Sequence, residues 1–116
     1  MECVGKSTIV EILRRSQRLP KGTLFTREPT ARFLRSKEES IHGDALFKLI
    51  VEDRAQHIEK DIIPELKIGT LVISDRYIPS TFVSQGVDGV SLDAIWEANK
   101  DFLVPNITFF ITARAC

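Results

Sequence analysis

Residues 2–8 read ECVGKST, and an amphipathic run begins inside them. They match the second half of the phosphate-binding pattern G-x-x-x-x-G-K-[ST]. In that pattern the glycine lets backbone N–H groups curl round a phosphate. The lysine places a point charge on the outer phosphates, and the hydroxyl reaches Mg²⁺. Gly5, Lys6 and Ser7 hold those places, with Thr8 beside them. The same tetrapeptide also arises by chance at helix starts, so its context decides. Thr8 to Arg18 sets Ile9, Ile12 and Leu13 at helical spacing, with Glu11, Arg14, Arg15 and Arg18 around the rest. A helix opening at the lysine adds its dipole to the anion site, which a phosphate loop requires. Counting back from Gly5 puts the first glycine of the pattern one place before Met1. The expectation is a chain that lacks the strand feeding the loop.

The charge balance makes any such anion site local. Sixteen Lys and Arg cancel sixteen Asp and Glu, so no broad field attracts nucleic acid or an anionic membrane surface. No apolar run is long enough to span a bilayer, and none reads as a signal peptide. With 43% hydrophobic residues in 116, residues 1–116 read as a single domain or a part of one. Cys3 and Cys116 form neither a metal spacing nor a disulfide framework, which predicts a reducing, cytoplasmic setting.

Helices and strands alternate along the chain. Pro20-Lys21-Gly22 is a turn, and Thr23 to Thr26 is a short strand ending at Arg27-Glu28-Pro29. Asp44 is placed to cap a long helix to about Leu66, with Leu46, Ile50, Ile58 and Ile62 down one side and Pro64 tightening its end. Gly69 stops it. Thr70 to Ser74 reads as a strand buried on both faces, Ser91 to Phe102 as a helix, and Ile107 to Thr112 as a third buried strand. Strands separated by helices predict an α/β fold with a parallel sheet and right-handed crossovers. Ligands bind such sheets at the carboxyl ends of the strands.

Those ends offer Arg27 and Glu28 after one strand, and Asp75, Arg76 and Tyr77 after the next. An Asp just past a buried strand is placed to orient Mg²⁺ or its waters. Arg27 and Arg76 together suit a second phosphate group; the alternative pairs Arg76 with Asp75 or Glu28 as a structural ion pair. Arg54 falls in the apolar stripe between Ile50 and Ile58. Two readings stay open for it: snorkelling or pairing with Asp53 or a neighbouring helix, or a substrate contact on the inner wall of a pocket.

Taken in order, GKST, TREPT, EDRAQHI, IIPELKIGTLVISDRY, the ST and QG of STFVSQG, and PNITFFI resemble the successive motifs of thymidylate kinases over nearly all of residues 2–112. The resemblance implies the P-loop nucleoside-monophosphate-kinase type of fold, a parallel sheet flanked by helices. Its first, central strand and its C-terminal part, with the lid and adenine-holding region, are expected to be missing here. It implies transfer of the ATP γ-phosphate to dTMP with Mg²⁺, giving dTDP and ADP, and a homodimer in the complete protein.

By the same resemblance, Gly5, Lys6, Ser7 and Thr8 hold the ATP phosphates, Ser7 and Asp75 the metal, and Lys6 and Arg76 act in catalysis. Glu2 stands where the family usually has Asp and addresses the sugar hydroxyl. Arg27 and Arg76 hold the acceptor phosphate, Arg54 bonds the thymine carbonyl, and Ser80, Thr81 and Gln85 close over base and sugar. Ile50 replaces the phenylalanine that usually stacks on thymine, and Ser84 replaces a tyrosine. Both departures remove aromatic surface. The segment between TREPT and ARFLR is also shorter than the family pattern, and Cys3 stands where some members carry an arginine. Two other classes stay open: a deoxynucleoside kinase of related fold, disfavoured by arginines suited to an acceptor phosphate, and a non-catalytic nucleotide-binding remnant.

Overall fold

The computed structural model describes residues 6–31, 33 and 41–111, the Ser7 side chain excepted. Helix α1 spans Lys6–Arg15, three residues short of the predicted end. Its apolar stripe is covered on one side only. Val10 and Leu13 are half-buried, whereas Ile9 and Ile12 are exposed. The Arg14 guanidinium lies 4.9 Å from the Phe25 ring centre, which ties α1 to the first strand.

Strands β1, Leu24–Arg27, and β2, Val72–Asp75, pair in parallel, with Leu24 opposite Val72 and Arg27 opposite Asp75. Both start slightly later than the sequence suggests. The Glu28 N–H donates to Asp75 O at 3.1 Å and carries the ladder one step past β1. All four β2 residues are half-buried, not buried on both faces. The physical reason is that the described sheet has two strands, so each strand has an open edge. The expected third strand is likewise not formed over 107–111, and Thr112 lies outside the described residues. A strand exists through its ladder, and no described segment pairs with this one; Ile107, Phe109 and Phe110 are exposed.

The crossover between β1 and β2 holds the long helical rod that the stripe predicts. It is α2, Gly43–His57, then a wide π turn over Ile58–Ile62, then α3, Ile63–Lys67. Ile63 N–H bonds Ile58 O, five residues back. The widening falls just before Pro64, which has no N–H to give the ordinary four-back bond. Asp44 does not cap the rod. The cap position is His42, whose side chain does not make the capping bond, and the carboxylate of Asp88 takes the Gly43 N–H from across the molecule. Gly69 does end the rod, at φ +84°. Gly69 N–H reaches Leu66 O at 3.1 Å and Thr70 N–H reaches Glu65 O at 3.0 Å, a Schellman close that favours glycine.

Helix α4, Ile78–Val87, is not legible in the sequence. Pro79, Thr81, Val83, Ser84 and Gly86 are weak helix formers, so packing must hold it. Helix α5, Leu92–Asn99, starts as predicted, with the Ser91 hydroxyl accepting Ala94 N–H at 3.1 Å, and stops before Phe102. The apolar core lies among these helices. Phe47, Val90 and Ile95 are buried, with Val51, Phe82 and Ala98 packed against them.

Candidate active site

The carboxyl edge of the sheet gathers the charged residues. Lys6, the first residue of α1, places Nζ 2.7 Å from Asp75 Oδ1, with both side chains largely buried. The lysine of the GKST run and the strand-end carboxylate therefore meet at this edge. Arg27 ends β1 opposite Asp75 and is exposed. Arg76 follows β2 at φ +71°, a left-handed conformation that costs a non-glycine residue roughly 1–2 kcal/mol. The Ser74 hydroxyl donates to Arg76 O at 2.7 Å and closes that turn. Glu2, Cys3, Gly5 and Cys116 lie outside the described residues. Thr8 is exposed on α1.

Behind this edge runs a buried polar network. The TREP turn, with a cis Glu28–Pro29 peptide, turns Glu28 inward. Glu28 Oε1 accepts Arg54 Nε at 2.8 Å, and Oε2 lies 2.8 Å from His57 Nδ1. Arg54 Nη1 donates to Asn99 Oδ1 at 2.6 Å and Nη2 to Thr81 Oγ1 at 2.8 Å. Its guanidinium also sits 5.3 Å from the Tyr77 ring centre, within cation–π range. Asp53 is not its partner. That carboxylate takes the Thr30 N–H at 2.9 Å and the Thr30 hydroxyl at 2.5 Å. Arg54 is thus a buried ion pair, 2% exposed, rather than a snorkelling side chain. A guanidinium has five N–H groups, and three of Arg54's are engaged.

Arg54 also faces a cleft of about 190 Å³, together with Ile50, Arg76, Ser80, Thr81 and Gln85. Six of the eight residues expected around the acceptor therefore line one cleft. Arg27 is not in that lining, and Glu2 lies outside the described residues. The cleft is completed by Glu28, Pro29, Phe33, Leu46, Asp53, Tyr77 and Ser84. Tyr77 is half-buried in this lining. Its hydroxyl donates to Leu103 O at 2.6 Å. Burial, and then the negative charge of Glu28, push its phenol up to about 12, against the opposing pull of Arg54.

Sequence reasoning missed Thr26, His57 and Asn99 as parts of this network. A signal for His57 was present, because it stands three residues after Arg54 and four after Asp53, on one helical face. Nothing in the sequence marks Asn99, which joins from 45 residues away.

Among the described residues no three His, Cys, Asp or Glu side chains converge on a metal position. Asp75 supplies one carboxylate beside the phosphate-loop lysine. That donor fits Mg²⁺, which binds through one or two carboxylates plus substrate phosphates and keeps several waters.

Comparison with known proteins places the chain. The family model "Thymidylate kinase" matches residues 1–115. The thymidylate kinase of Synechococcus sp. (strain JA-3-3Ab) is 39% identical over 122 residues, covering 95% of this chain and 60% of that protein. The thymidylate kinase of Mycoplasma mobile is 34% identical over 127 residues, covering 93% of this chain and 60% of that protein. The crystal structure of thymidylate kinase from Ehrlichia chaffeensis superposes with a TM-score of 0.78 at 28% identity, over 97% of this chain and 67% of that one. The fold is therefore the P-loop nucleoside-monophosphate-kinase type, and the chain spans about three-fifths of the length of the curated relatives it matches. With the phosphate-loop lysine, the strand-end aspartate and the arginine-lined cleft in one place, this chain belongs to the thymidylate kinase family.

Proposed function

We propose that this chain carries the acceptor pocket and phosphate loop of an ATP:dTMP phosphotransferase, which forms dTDP and ADP. The observation that carries the reading is the juxtaposition of two sites at one sheet edge. Lys6 of α1 reaches Asp75 at the end of β2, and the residue after Asp75, Arg76, lines the cleft that holds Arg54. Phosphoryl transfer needs two anionic groups aligned and their charge offset, with little covalent work by the protein.

The roles are those the family resemblance implies, and the meeting of Lys6 with Asp75 and the cleft shared by Arg54 and Arg76 support them. Gly5, Lys6, Ser7 and Thr8 hold the ATP phosphates, and Lys6 stabilises charge that spreads over the transferred group. Arg76 holds the acceptor phosphate together with Arg27, which ends the neighbouring strand opposite Asp75, and Arg76 contributes to catalysis. Arg54 presents its two remaining N–H groups to the thymine carbonyl. Ile50 covers one face of the base, Ser80, Thr81 and Gln85 close over base and sugar, and Glu2 addresses the sugar hydroxyl. Mg²⁺, held by Asp75 and the Ser7 hydroxyl, neutralises phosphate charge when bound. The reading extends to a homodimer and a cytoplasmic setting, with no nucleic-acid or membrane partner; among the described residues no helix is long and apolar enough to cross a membrane.

Titration calorimetry of the chain with dTMP, dUMP and thymidine tests the proposal. dTMP is expected to bind at least about tenfold tighter than thymidine, the size of a charge-assisted phosphate contact, with dUMP weaker than dTMP. Thymidine binding as tightly as dTMP would transfer the assignment to the nucleoside kinases.

A further inference from the structure

The buried network ends on a side chain that does not reach the cleft. His57 is fully buried and absent from the cleft lining. Its Nδ1 lies 2.8 Å from Glu28 Oε2, and its Nε2 lies 2.5 Å from Thr26 Oγ1 on β1. Glu28's other oxygen takes Arg54 Nε at 2.8 Å. The last torsion of a glutamate is broad and roughly two-fold, so a carboxylate held at one oxygen swings about it. Held at both oxygens, its plane is fixed. The plane of Glu28 then sets where Arg54 Nε, and with it the rigid planar guanidinium, must point.

We infer that His57 is a positioning residue for the acceptor pocket. Its Nδ1–H fixes the Glu28 carboxylate, and through it the face that Arg54 presents to the cleft. A carboxylate only accepts, so the proton on this contact belongs to Nδ1, while the Thr26 hydroxyl serves Nε2 as donor or acceptor. Asn99 and Thr81 hold the terminal nitrogens of Arg54 from α5 and α4, but only Glu28 engages Nε. The consequence for ligand binding rests on the cleft being the dTMP site; the orientation of Arg54 does not.

Three variants of the full chain separate positioning from packing. His57→Asn keeps an amide N–H near the place of Nδ1, His57→Gln keeps one near Nε2, and His57→Phe keeps neither. Two readouts are the Arg54 Nε–H resonance in ¹H–¹⁵N spectra and the dTMP Kd by calorimetry. His57→Asn should leave the resonance in place and Kd within about threefold. His57→Gln and His57→Phe should move the resonance and weaken dTMP by about tenfold or more, the scale of one hydrogen bond to a charged group. The inference falls if His57→Gln resembles the parent while His57→Asn resembles His57→Phe, or if all three behave alike. A measurement on the unaltered chain needs no folded variant. The His57 Nδ1–H should appear as a slowly exchanging, low-field proton, and an unprotonated Nδ1 overturns the inference. If dTMP does not bind the unaltered chain, the proposed function fails, while the resonance pattern still decides the positioning.

Discussion

Replacing Glu28 by Gln removes one charge and almost no volume, which isolates the electrostatic part of the network. Glu28 is 5% exposed and holds Arg54 and His57 at 2.8 Å each. Arg54 would keep Asn99 and Thr81, two neutral acceptors, as its buried company. Breaking a buried ion pair by removing one partner costs about 3–5 kcal/mol, because the other charge stays buried without compensation. The glutamine amide oxygen still accepts one hydrogen bond, so the low end applies, about 3 kcal/mol. Against a domain stability of about 5–15 kcal/mol, and at about 4 °C per kcal/mol for a chain of this size, Tm should fall by roughly 12 °C. Urea unfolding followed by far-UV circular dichroism measures the free-energy loss, with the slope m unchanged, and thermal unfolding measures the Tm. The double variant Glu28→Gln with Arg54→Met should cost less than the sum of the two single changes, since no orphan charge remains. A single-variant loss below about 1 kcal/mol, or strict additivity in the cycle, would refute the claim that this pair is buried and coupled.

Three further outcomes follow from the same structure. Tyr77 is the only tyrosine, so absorbance at 295 nm reports one phenol. Its midpoint should lie at about 12 in the folded chain and near 10 in denaturant. The folded pKa is the raised one, so this group's contribution to stability is full below pH 10 and is lost as pH rises through about 12; a native midpoint near 10 would contradict its burial. Ile50→Phe should tighten dTMP by about 1 kcal/mol, a typical aromatic term, because position 50 lines the cleft; an unchanged Kd in a folded variant would place the base elsewhere. Gly69→Ala should destabilise by about 1–2 kcal/mol through its φ of +84° alone, since an added Cβ meets nothing within 4 Å; a neutral urea midpoint would deny the Schellman close.

Periodicity and punctuation carried the parts of this fold that are local. The stripe from Leu46 to Ile62 predicts the inward face of the rod, Gly69 its end, and Ser91 the start of α5, because each depends on neighbours within one or two turns. Helix α4 was hidden because its own residues disfavour helix, and it is held by tertiary contacts, Phe82 against the apolar core and buried Thr81 bonded to Arg54. The expected strand over 107–112 has the composition of a strand, but composition does not supply a partner ladder. The site divides the same way. Lys6 was legible from the GKST pattern, and Asp75 and Arg76 as residues at a strand end. The partners of Arg54 were not, since they come from 26, 27 and 45 residues away. Helical spacing says which way a side chain faces, and only the packing of three elements says what it meets.

The π turn at Ile58–Ile62 bears on how such chains vary in length. Its Ile63 to Ile58 bond encloses one residue more than an ordinary helical turn. A one-residue deletion within that turn would give a regular α-helix in which the segments before and after keep their facing. The same deletion in the middle of α2 would rotate everything beyond it by about 100°, carrying Arg54 and His57 off the inward face. Length differences between related sequences should therefore be tolerated at Ile58–Ile62 and excluded over 47–57.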